Sequence, residues 1–396
     1  MTSRANRARK CIGRFPSAKG VLVAGLAATL SASPQSIRAQ DATAPSAAAP
    51  PVIKVASRTA SVPSITLKLP AALHVGGVVD NPDNEFNFKN SFLLGAPLKG
   101  GGLAVVDGFK VRLYDKAGKQ RAVVGTIEGG GPHEFKFAWR VCQTRGDTLF
   151  IHDDRNSRMT VMMPTGQVVH ESPTRGVRFT RASCLDDGTI IVTRATEDSA
   201  NLQMAFFLRR KTDGTDAAPI GIFPISYKAL GPVPYVTIGS GHEFVVADPN
   251  VPDIAVRDLS GRMLRTYHLA EKPTTAFADV ATASTAYAAQ GVAVEQAGGS
   301  RSQPKATRVL WPLYKRLEVD PAGNLWLQDM TVKATDQQSW TRINTKGAVT
   351  GRLTLPPQYV VKTAERTEVM SFTANGVLVR SFDADGAAHF YGYLFN

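Results

Sequence analysis

The 396-residue sequence predicts an all-β fold, a six-bladed β-propeller that is closed by an N-terminal strand. Three observations carry this prediction. A short apolar run with a turn residue four positions after its first hydrophobe recurs six times, about 40 to 55 residues apart with one gap of about 80, which is typical of propeller blades. Turn dipeptides separate short strands throughout, and almost no segment has a helical period. The six runs are Leu103–Asp107, Leu149–Asp153, Ile190–Arg194, Phe244–Asp248, Leu325–Asp329 and Val377–Ser381.

Each repeat is predicted to contain four strands, of which the apolar run is the second. Gly-containing turns then join the third strand to the fourth as hairpins. The last repeat ends after three strands at the C-terminus, so we expect its outer strand to come from residues 64–69 or from the run 72–79. The hairpin turns are Asp115–Gly118, Pro164–Gly166, Asp213–Gly214, Leu259–Gly261 and Lys346–Gly347.

The wide gap between the fourth and fifth repeats predicts an insertion over residues 271–306. Thr274 or Thr275 is in position to cap a helix in which Phe277, Val280 and Tyr287 share one face, so a partly helical insertion is expected. Two interpretations stay open: a lid over a ligand site and a neutral surface excursion.

The N-terminus has the composition of an export leader. Residues 1–39 hold seven Lys/Arg and no acid, with an apolar stretch over Val21–Ala32 that is too short to span a bilayer. We predict a signal peptide over 1–39, a disordered linker over 40–60, the propeller over 61–396, and a periplasmic or secreted protein. After leader removal no membrane span is expected.

Charge gives little support for a nucleic-acid partner. Without the leader, the formal charge falls from +13 to about +6 over more than 350 residues. The partner expected from the sequence is therefore a small molecule or a peptide, bound by a monomer.

Two cysteines remain after leader removal, Cys142 and Cys184. Export favours a disulfide, but the two positions are offset by one residue in the repeat, and a one-residue offset turns a strand side chain to the other face. The register therefore favours two buried thiols, with the disulfide as the alternative.

Two segments resemble known sequences. Glu128–Phe135 resembles the glycine-rich junction of bacterial six-bladed propellers related to the NHL-repeat group, although His133 stands where that pattern has Gly. Tyr314–Trp326 is similar to the same family's aromatic, Val-Asp, Gly-Asn-Leu-Trp segment. The resemblance implies a secreted or periplasmic propeller and, since most members have no assigned activity, leaves the function open.

Aligning the repeats predicts a ring of side chains at the channel mouth. Nine residues before each apolar run, at the start of the innermost strand, the sequence has Leu94, Arg140, Arg181, Tyr235, Arg316 and Glu368. Arginine binds carboxylates and phosphates well, so Arg140, Arg181, Arg194, Arg316, Tyr235 and Glu368 are the predicted ligand-binding residues. Tyr235, with Trp311 and Tyr314, is a candidate stacking wall, with core packing as the alternative.

The acids that end the apolar runs are predicted to be structural. In two repeats a spacing of 13 pairs Arg140 with Asp153 and Arg316 with Asp329, as expected of ion pairs or turn caps that tie strand ends together. The predicted structural acids are Asp107, Asp153, Asp248 and Asp329.

The sequence favours a binding scaffold over an enzyme. No metal-type histidine spacing, nucleophile elbow or phosphate loop is present, and His152 beside Asp153 and Asp154 is more typical of a loop network than of a metal site. We expect no cofactor and a small anionic, saccharide or peptide ligand. A hydrolase or lyase with a divalent cation in the channel, and a protein-interaction module, stay open as alternatives.

Overall fold

The computed structural model describes most of the chain from residue 49 onward. The described residues are 49–59, 61–77, 86, 94–143, 148–174, 181–184, 189–197, 203–211, 216–224, 235–238, 242–272, 274–278, 307–330, 337–355, 368–383 and 387–396. The predicted signal peptide lies outside this part of the chain, as does residue range 279–306 of the predicted insertion.

The described residues form strands and no helix. The N-terminal strands are β1 (Val52–Val55), β2 (Ser64–Ile65) and β3 (Leu73–Gly76). The next twelve strands are β4 (Leu94–Pro97), β5 (Leu103–Asp107), β6 (Lys110–Tyr114), β7 (Gln120–Val124), β8 (Ala138–Gln143), β9 (Leu149–Asp153), β10 (Arg158–Met162), β11 (Val168–Pro173), β12 (Arg181–Cys184), β13 (Thr189–Glu197), β14 (Gln203–Lys211) and β15 (Asp216–Pro224).

The remaining strands complete the chain. They are β16 (Tyr235–Ile238), β17 (Glu243–Ala247), β18 (Asp253–Asp258), β19 (Met263–Leu269), β20 (Thr274–Ala278), β21 (Thr307–Trp311), β22 (Arg316–Val319), β23 (Leu325–Gln328), β24 (Ser339–Ile343), β25 (Val349–Thr354), β26 (Glu368–Thr373), β27 (Gly376–Phe382) and β28 (Ala388–Leu394).

The strands form antiparallel meanders arranged as a propeller. The strands β4–β7, β8–β11 and β12–β15 form three four-stranded sheets, and β26–β28 form a fourth together with β3. Two sheets have five strands, namely β16–β19 with β1 and β22–β25 with β2. Strand β20 pairs with β21 in a two-stranded sheet. The first strand of each meander is innermost, and these strands contact one another in a closed ring in the order β4, β8, β12, β16, β22, β26 and back to β4. The ring encloses a central channel.

The predicted fold class, a six-bladed β-propeller closed by an N-terminal strand with a partly helical insertion between the fourth and fifth blades, is wrong, although the all-β propeller class holds. Two sheets carry a fifth strand, and the insertion begins with a strand where a helix is predicted. Thr274–Ala278 pairs antiparallel with Thr307–Trp311. The β-branched Thr274 and Thr275 and the aromatic Phe277 suit an extended strand, and pairing with the other end of the insertion outweighs the weak helical period.

Apolar residues of the second strands fill the spaces between neighbouring sheets. One cluster joins the β22–β25 sheet to the β26–β28 sheet, where Trp326 and Phe372 stack with ring centroids 4.0 Å apart. The indole Nε1 of buried Trp326 donates to Asp320 at 3.0 Å. Four of the apolar runs, in β5, β9, β23 and β27, are therefore buried on both faces, which explains their unbroken hydrophobic character.

The predicted hairpin turns are confirmed where the chain is described. Asp115, Asp258, Asp320 and Asn344 each accept hydrogen bonds from the backbone amides two and four residues later. A glycine with positive φ follows three residues after each of them, as such turns require. The predicted Asp213–Gly214 turn lies outside the described residues.

The N-terminal segment forms a belt over three sheets, which we define as residues 51–77. Strand β1 pairs parallel with β19, β2 pairs parallel with β25, and β3 pairs antiparallel with β28. The belt therefore supplies the outermost strand of three successive sheets. Within the predicted linker, residues Val52–Val55 form β1, because an Ala/Pro-rich composition does not exclude strand addition to an existing edge.

One buried arginine attaches the belt between two sheets. The Arg58 side chain, 8% exposed, donates to the Leu313 carbonyl at 2.5 Å and pairs with Asp329 at 3.3 Å and Glu271 at 3.7 Å. The Arg58 backbone amide also donates to Glu271, and Arg352 donates to the Arg58 carbonyl at 2.5 Å. Arg58 thus ties β1 and β2 to the ends of the sheets they extend.

At the end of the belt, two histidines meet where β3 pairs with β28. His74 Nε2 lies 3.0 Å from His389 Nδ1, and His389 Nε2 lies 3.2 Å from Asp383. The His74 ring also stacks on Tyr391 with centroids 4.5 Å apart. Burial, and then the charge of His389, lower the pKa of His74.

This pairing predicts a pH-dependent stability. Because the folded-state pKa of His74 is depressed, the unfolded chain takes up a proton first, so stability is present above the ordinary value of 6.5 and is lost as the pH falls below it. Between about pH 8 and pH 5, the melting temperature of His74→Gln should fall less than that of wild type. The exposed His170 provides the control, since His170→Gln should retain the wild-type slope. Equal slopes for wild type and His74→Gln would contradict this assignment.

Candidate functional site

The central channel contains a large cavity. It has a volume of about 1130 Å³ and is lined by all the innermost strands and by the turns that follow some of them. This volume matches the upper range of small-molecule sites. The channel is therefore the candidate functional site.

The predicted ring positions lie at one level of the ring. Each pairs with the residue that directly precedes the last residue of its apolar run: Leu94 with Val106, Arg140 with His152, Arg181 with Thr193, Tyr235 with Ala247, Arg316 with Gln328 and Glu368 with Arg380. The backbone register thus agrees with the sequence alignment. Leu94, Arg316 and Glu368 line the cavity.

For four predicted ligand-binding residues, the role in binding stays a prediction. The side chains of Arg140, Arg181, Arg194 and Tyr235 lie outside the described part of the structure, although their backbones lie in β8, β12, β13 and β16. Of the other predicted stacking residues, the side chain of Trp311 is likewise outside it. Tyr314 is fully buried in the core between two sheets, so core packing, the stated alternative, applies there.

Arg316 is the centre of a charged cluster on the channel wall. Its guanidinium donates to Glu368 at 2.5 Å, to the Val369 carbonyl at 2.9 Å and to Glu318 at 2.8 Å. Glu368 accepts a second charge-assisted bond, at 2.6 Å, from the buried Arg380. One carboxylate therefore bridges two arginines, and Glu368, whose side chain is 42% exposed, also lines the channel.

Burial shifts the titration of the groups beside this cluster. It lowers the pKa of Lys315 to about 8, with the neighbouring Arg316 acting in the same direction and Glu368 against it. Burial also lowers the pKa of Arg380, an effect that Glu368 opposes. The cluster formed by Arg316, Glu318, Glu368 and Arg380 is close to neutral, and Lys315 gives its surroundings a net positive charge at neutral pH.

The predicted ion pair between Arg316 and Asp329 is wrong. Arg316 binds the carboxylates of Glu318 and Glu368, whereas Asp329 binds Arg58 of the belt and, at 3.9 Å, Arg352. Burial raises the pKa of Asp329, against the effects of these two arginines. The spacing of 13 residues gave no information about the belt, which brings Arg58 to Asp329 at the end of β23.

The other predicted structural acids contact turns and strand ends. Asp107 accepts from Arg112 Nε at 3.1 Å in a buried pair. Asp153 accepts from the backbone amides of Lys136, Phe137 and Asn156, and Asp248 accepts from the amide of Asn250. Asp153 therefore connects two loops, whereas Asp107 and Asp248 stabilise their own hairpin and turn.

Cys142 and Cys184 form a disulfide that lines the channel. It joins β8 to β12, the innermost strands of neighbouring sheets. The prediction of two buried thiols is therefore wrong. The face-alternation rule holds within one sheet, and these strands belong to two sheets that are rotated relative to each other, so a one-residue offset does not separate the sulfurs.

The channel wall is amphipathic. Its charged residues on the innermost strands, Arg316, Glu318 and Glu368, belong to β22 and β26, whereas β4 and β8 present Leu94, Ala96, Val141 and the disulfide. Apolar walls with a few converging polar groups are usual for ligand sites. The arrangement suits a ligand with one polar end and an apolar body.

Sequence reasoning missed several of the relevant residues. Glu318 follows Arg316 at the strand period of two, and Arg380 is opposite Glu368 in the predicted register, so both carried a usable signal. Arg58 carried none, because its segment gave no strand pattern. Within the described residues, no group of three or more His, Cys, Asp and Glu side chains is arranged to hold a metal ion, and His152 is buried in the core.

Comparisons with known proteins describe only general likeness. No family model matches the chain, and no curated protein matches it. Similar solved structures include a candidate exported protein from Bacteroides fragilis, with 11% identity, coverage of 83% of this chain and 88% of that one, and a TM-score of 0.48. A DUF4221 family member from Bacteroides vulgatus has 9% identity, 85% and 99% coverage and a TM-score of 0.46.

An enzyme structure is also among the similar ones. Virginiamycin B lyase from Staphylococcus aureus has 9% identity, coverage of 83% of this chain and 99% of that one, and a TM-score of 0.42. None of these likenesses is strong enough to transfer an activity, and the propeller assignment here is based on this protein's own strand pairing. In the described part of the chain, no helix could span a membrane.

Proposed function

We propose that this protein is an exported binding platform whose central channel takes a small ligand with a carboxylate at one end and an apolar body. The observation that carries the proposal is the amphipathic channel of about 1130 Å³, with Arg316 on one wall and apolar side chains on the opposite one. Export is supported by the leader-like N-terminus and by the disulfide, since disulfides persist mainly in oxidising compartments.

Arg316 is the residue proposed to bind the carboxylate. Glu318 and the Val369 carbonyl hold the guanidinium in a fixed orientation, which lowers the entropic cost of binding. A ligand carboxylate would compete with Glu368 for one edge of Arg316, while Arg380 continues to neutralise Glu368. Exchange of one carboxylate for another conserves the charge around the guanidinium, so binding would leave no buried charge without a partner.

A matched pair of simple probes tests this proposal. N-acetylleucine has a carboxylate and an apolar side chain, and N-acetylleucinamide differs only in lacking the charge. Titration calorimetry or ligand-observed NMR should show that wild type binds the acid more tightly than the amide. Arg316→Ala should weaken binding of the acid by about tenfold or more, because a charge-assisted bidentate contact is lost.

Two variants control for indirect effects. Arg316→Lys keeps the charge but lacks the planar fork, so it should fold and still bind the acid less tightly than wild type. Arg262→Ala removes an exposed arginine, 75% accessible, far from the channel lining and should leave binding unchanged. Equal binding of the acid by wild type and Arg316→Ala, or failure of wild type to bind it, would contradict the proposal.

A further inference from the structure

A second cavity lies beside the channel, between two neighbouring sheets. It has a volume of about 1010 Å³ and lies beside the turn that joins β4 to β5, the hairpin that joins β6 to β7, and Pro164 in the β10–β11 hairpin. We call it the lateral groove. It shares five lining residues with the channel, namely Leu98, Lys99, Gly102, Lys116 and Gln143, so the two spaces adjoin each other.

The lateral groove is basic. Among the described lining residues, Lys99, Lys116 and Arg121 are basic and Asp115 is acidic. Asp115 is largely engaged within its own turn, where it accepts from the amides of Ala117 and Lys119 and pairs with Arg121 at 2.5 Å. Lys99 and Lys116 are both exposed, so their charges face the shared part of the two cavities.

The lip of the groove is held in place by a contact between sheets. The Lys99 amide donates to Gln143 Oε1 at 2.7 Å, which ties the β4–β5 turn to the end of β8. Within the turn, Gly101 has a φ of +88° and donates its amide to the Leu98 carbonyl at 2.8 Å. Around Gly100 the described residues leave open space, because none of them, apart from its two chain neighbours, has an atom within 4 Å of the position a Cβ would take. An extended main chain could therefore lie close to this backbone.

The described lining favours a peptide over a saccharide. Sugar rings are commonly held by stacking on open aromatic faces, but the aromatic lining residues whose side chains the structure describes are at most 5% exposed: Tyr114, Phe372 and Tyr393. The channel instead offers apolar side chains such as Leu94, Val141 and Met370. Such walls accept the apolar side chains of a peptide, and lysines at the lip complement acidic ones.

We infer that the channel and the lateral groove together bind an extended acidic peptide, with apolar side chains in the channel and carboxylates beside Lys99 and Lys116. This inference rests on the proposed use of the channel and adds the ligand class and its path. The joint space of the two cavities exceeds what a single small molecule fills, which is consistent with an extended occupant.

The test uses a fluorescently labelled peptide of alternating glutamate and leucine, six residues long, and the same peptide with glutamine for glutamate. Fluorescence anisotropy should show that wild type binds the glutamate peptide more tightly, by a margin that narrows at high salt. Lys99→Glu/Lys116→Glu should weaken this binding by about tenfold or more. Lys119→Glu, on the same hairpin but outside both linings, should change it less than about twofold.

The outcomes separate this inference from the proposed function. If the double variant and wild type bind the glutamate peptide equally, or wild type binds both peptides equally, the inference is overturned. It is also overturned if wild type binds neither peptide. If N-acetylleucine binding depends on Arg316 in the same preparations, the proposed function stands without the groove. If the peptide depends on Lys99 and Lys116 but N-acetylleucine does not depend on Arg316, the proposed carboxylate contact fails instead.

Discussion

Replacing Arg58 with alanine is expected to lower the free energy of unfolding by about 3 kcal/mol. The Arg58 side chain is 8% exposed and pairs with Glu271 and Asp329, whose side chains are 17% and 28% exposed. Its loss would remove the arginine that pairs with Glu271 and would leave Asp329 with only the more distant Arg352, at 3.9 Å, as a cationic partner. The Leu313 carbonyl would lose its 2.5 Å donor as well. The belt that carries β1 and β2 would thereby lose its central attachment.

Equilibrium denaturation with urea measures this effect. Arg262→Ala is a matched control, since it deletes an arginine from an exposed pair with Asp258, and it should cost less than about 1 kcal/mol. A second variant, Arg58→Lys, restores a cation without the guanidinium fork and should recover part of the loss. If Arg58→Ala and Arg262→Ala have equal unfolding free energies, the contacts of Arg58 do not hold the belt in place.

Removing the disulfide is expected to cost about 4 kcal/mol, because the bond closes a loop with a sequence separation of 42 residues and so restricts the unfolded chain. The bond also joins β8 to β12, which belong to different sheets and share no backbone ladder. The variant Cys142→Ala/Cys184→Ala should therefore unfold at lower urea concentration than oxidised wild type.

A reducing agent provides the internal control for this experiment. It should shift wild type toward the variant's unfolding midpoint and leave the variant unchanged. Labelling of unfolded, unreduced wild type with a thiol reagent should detect no free thiol from Cys142 or Cys184. Two labelled thiols, or a midpoint that the double variant does not change, would show that these cysteines are not bonded in the folded protein.

The repeat pattern predicted the propeller class because the physical cause is local. A second strand covered on both faces must be apolar throughout, and a tight hairpin needs Asp or Asn followed by Gly, as Asp115 and Asn344 show. The belt was not predictable in this way. Strands β1 and β2 gain their structure by adding to the edges of β19 and β25, which lie more than 200 residues away in sequence.

Part of the candidate site was also predictable from the repeat pattern. Register along the strands follows from the repeat, so the ring positions, including Arg316 and Glu368, could be aligned from sequence. The partners of these residues depend on how sheets meet. The pairing of Arg316 with Glu368 crosses from one sheet to the next, as does the Cys142–Cys184 bond. The lysines of the lateral groove lie in turns, where the repeat carries little information.

The measurement that tests the central claim most directly is a crystal structure of the wild-type protein grown with saturating N-acetylleucine. We predict that its carboxylate lies within hydrogen-bonding distance of the Arg316 guanidinium and that its leucyl side chain contacts the apolar wall formed by Leu94 and Val141. Density for the probe outside the channel, or a channel without the probe, would contradict the claim that this propeller binds its ligand there.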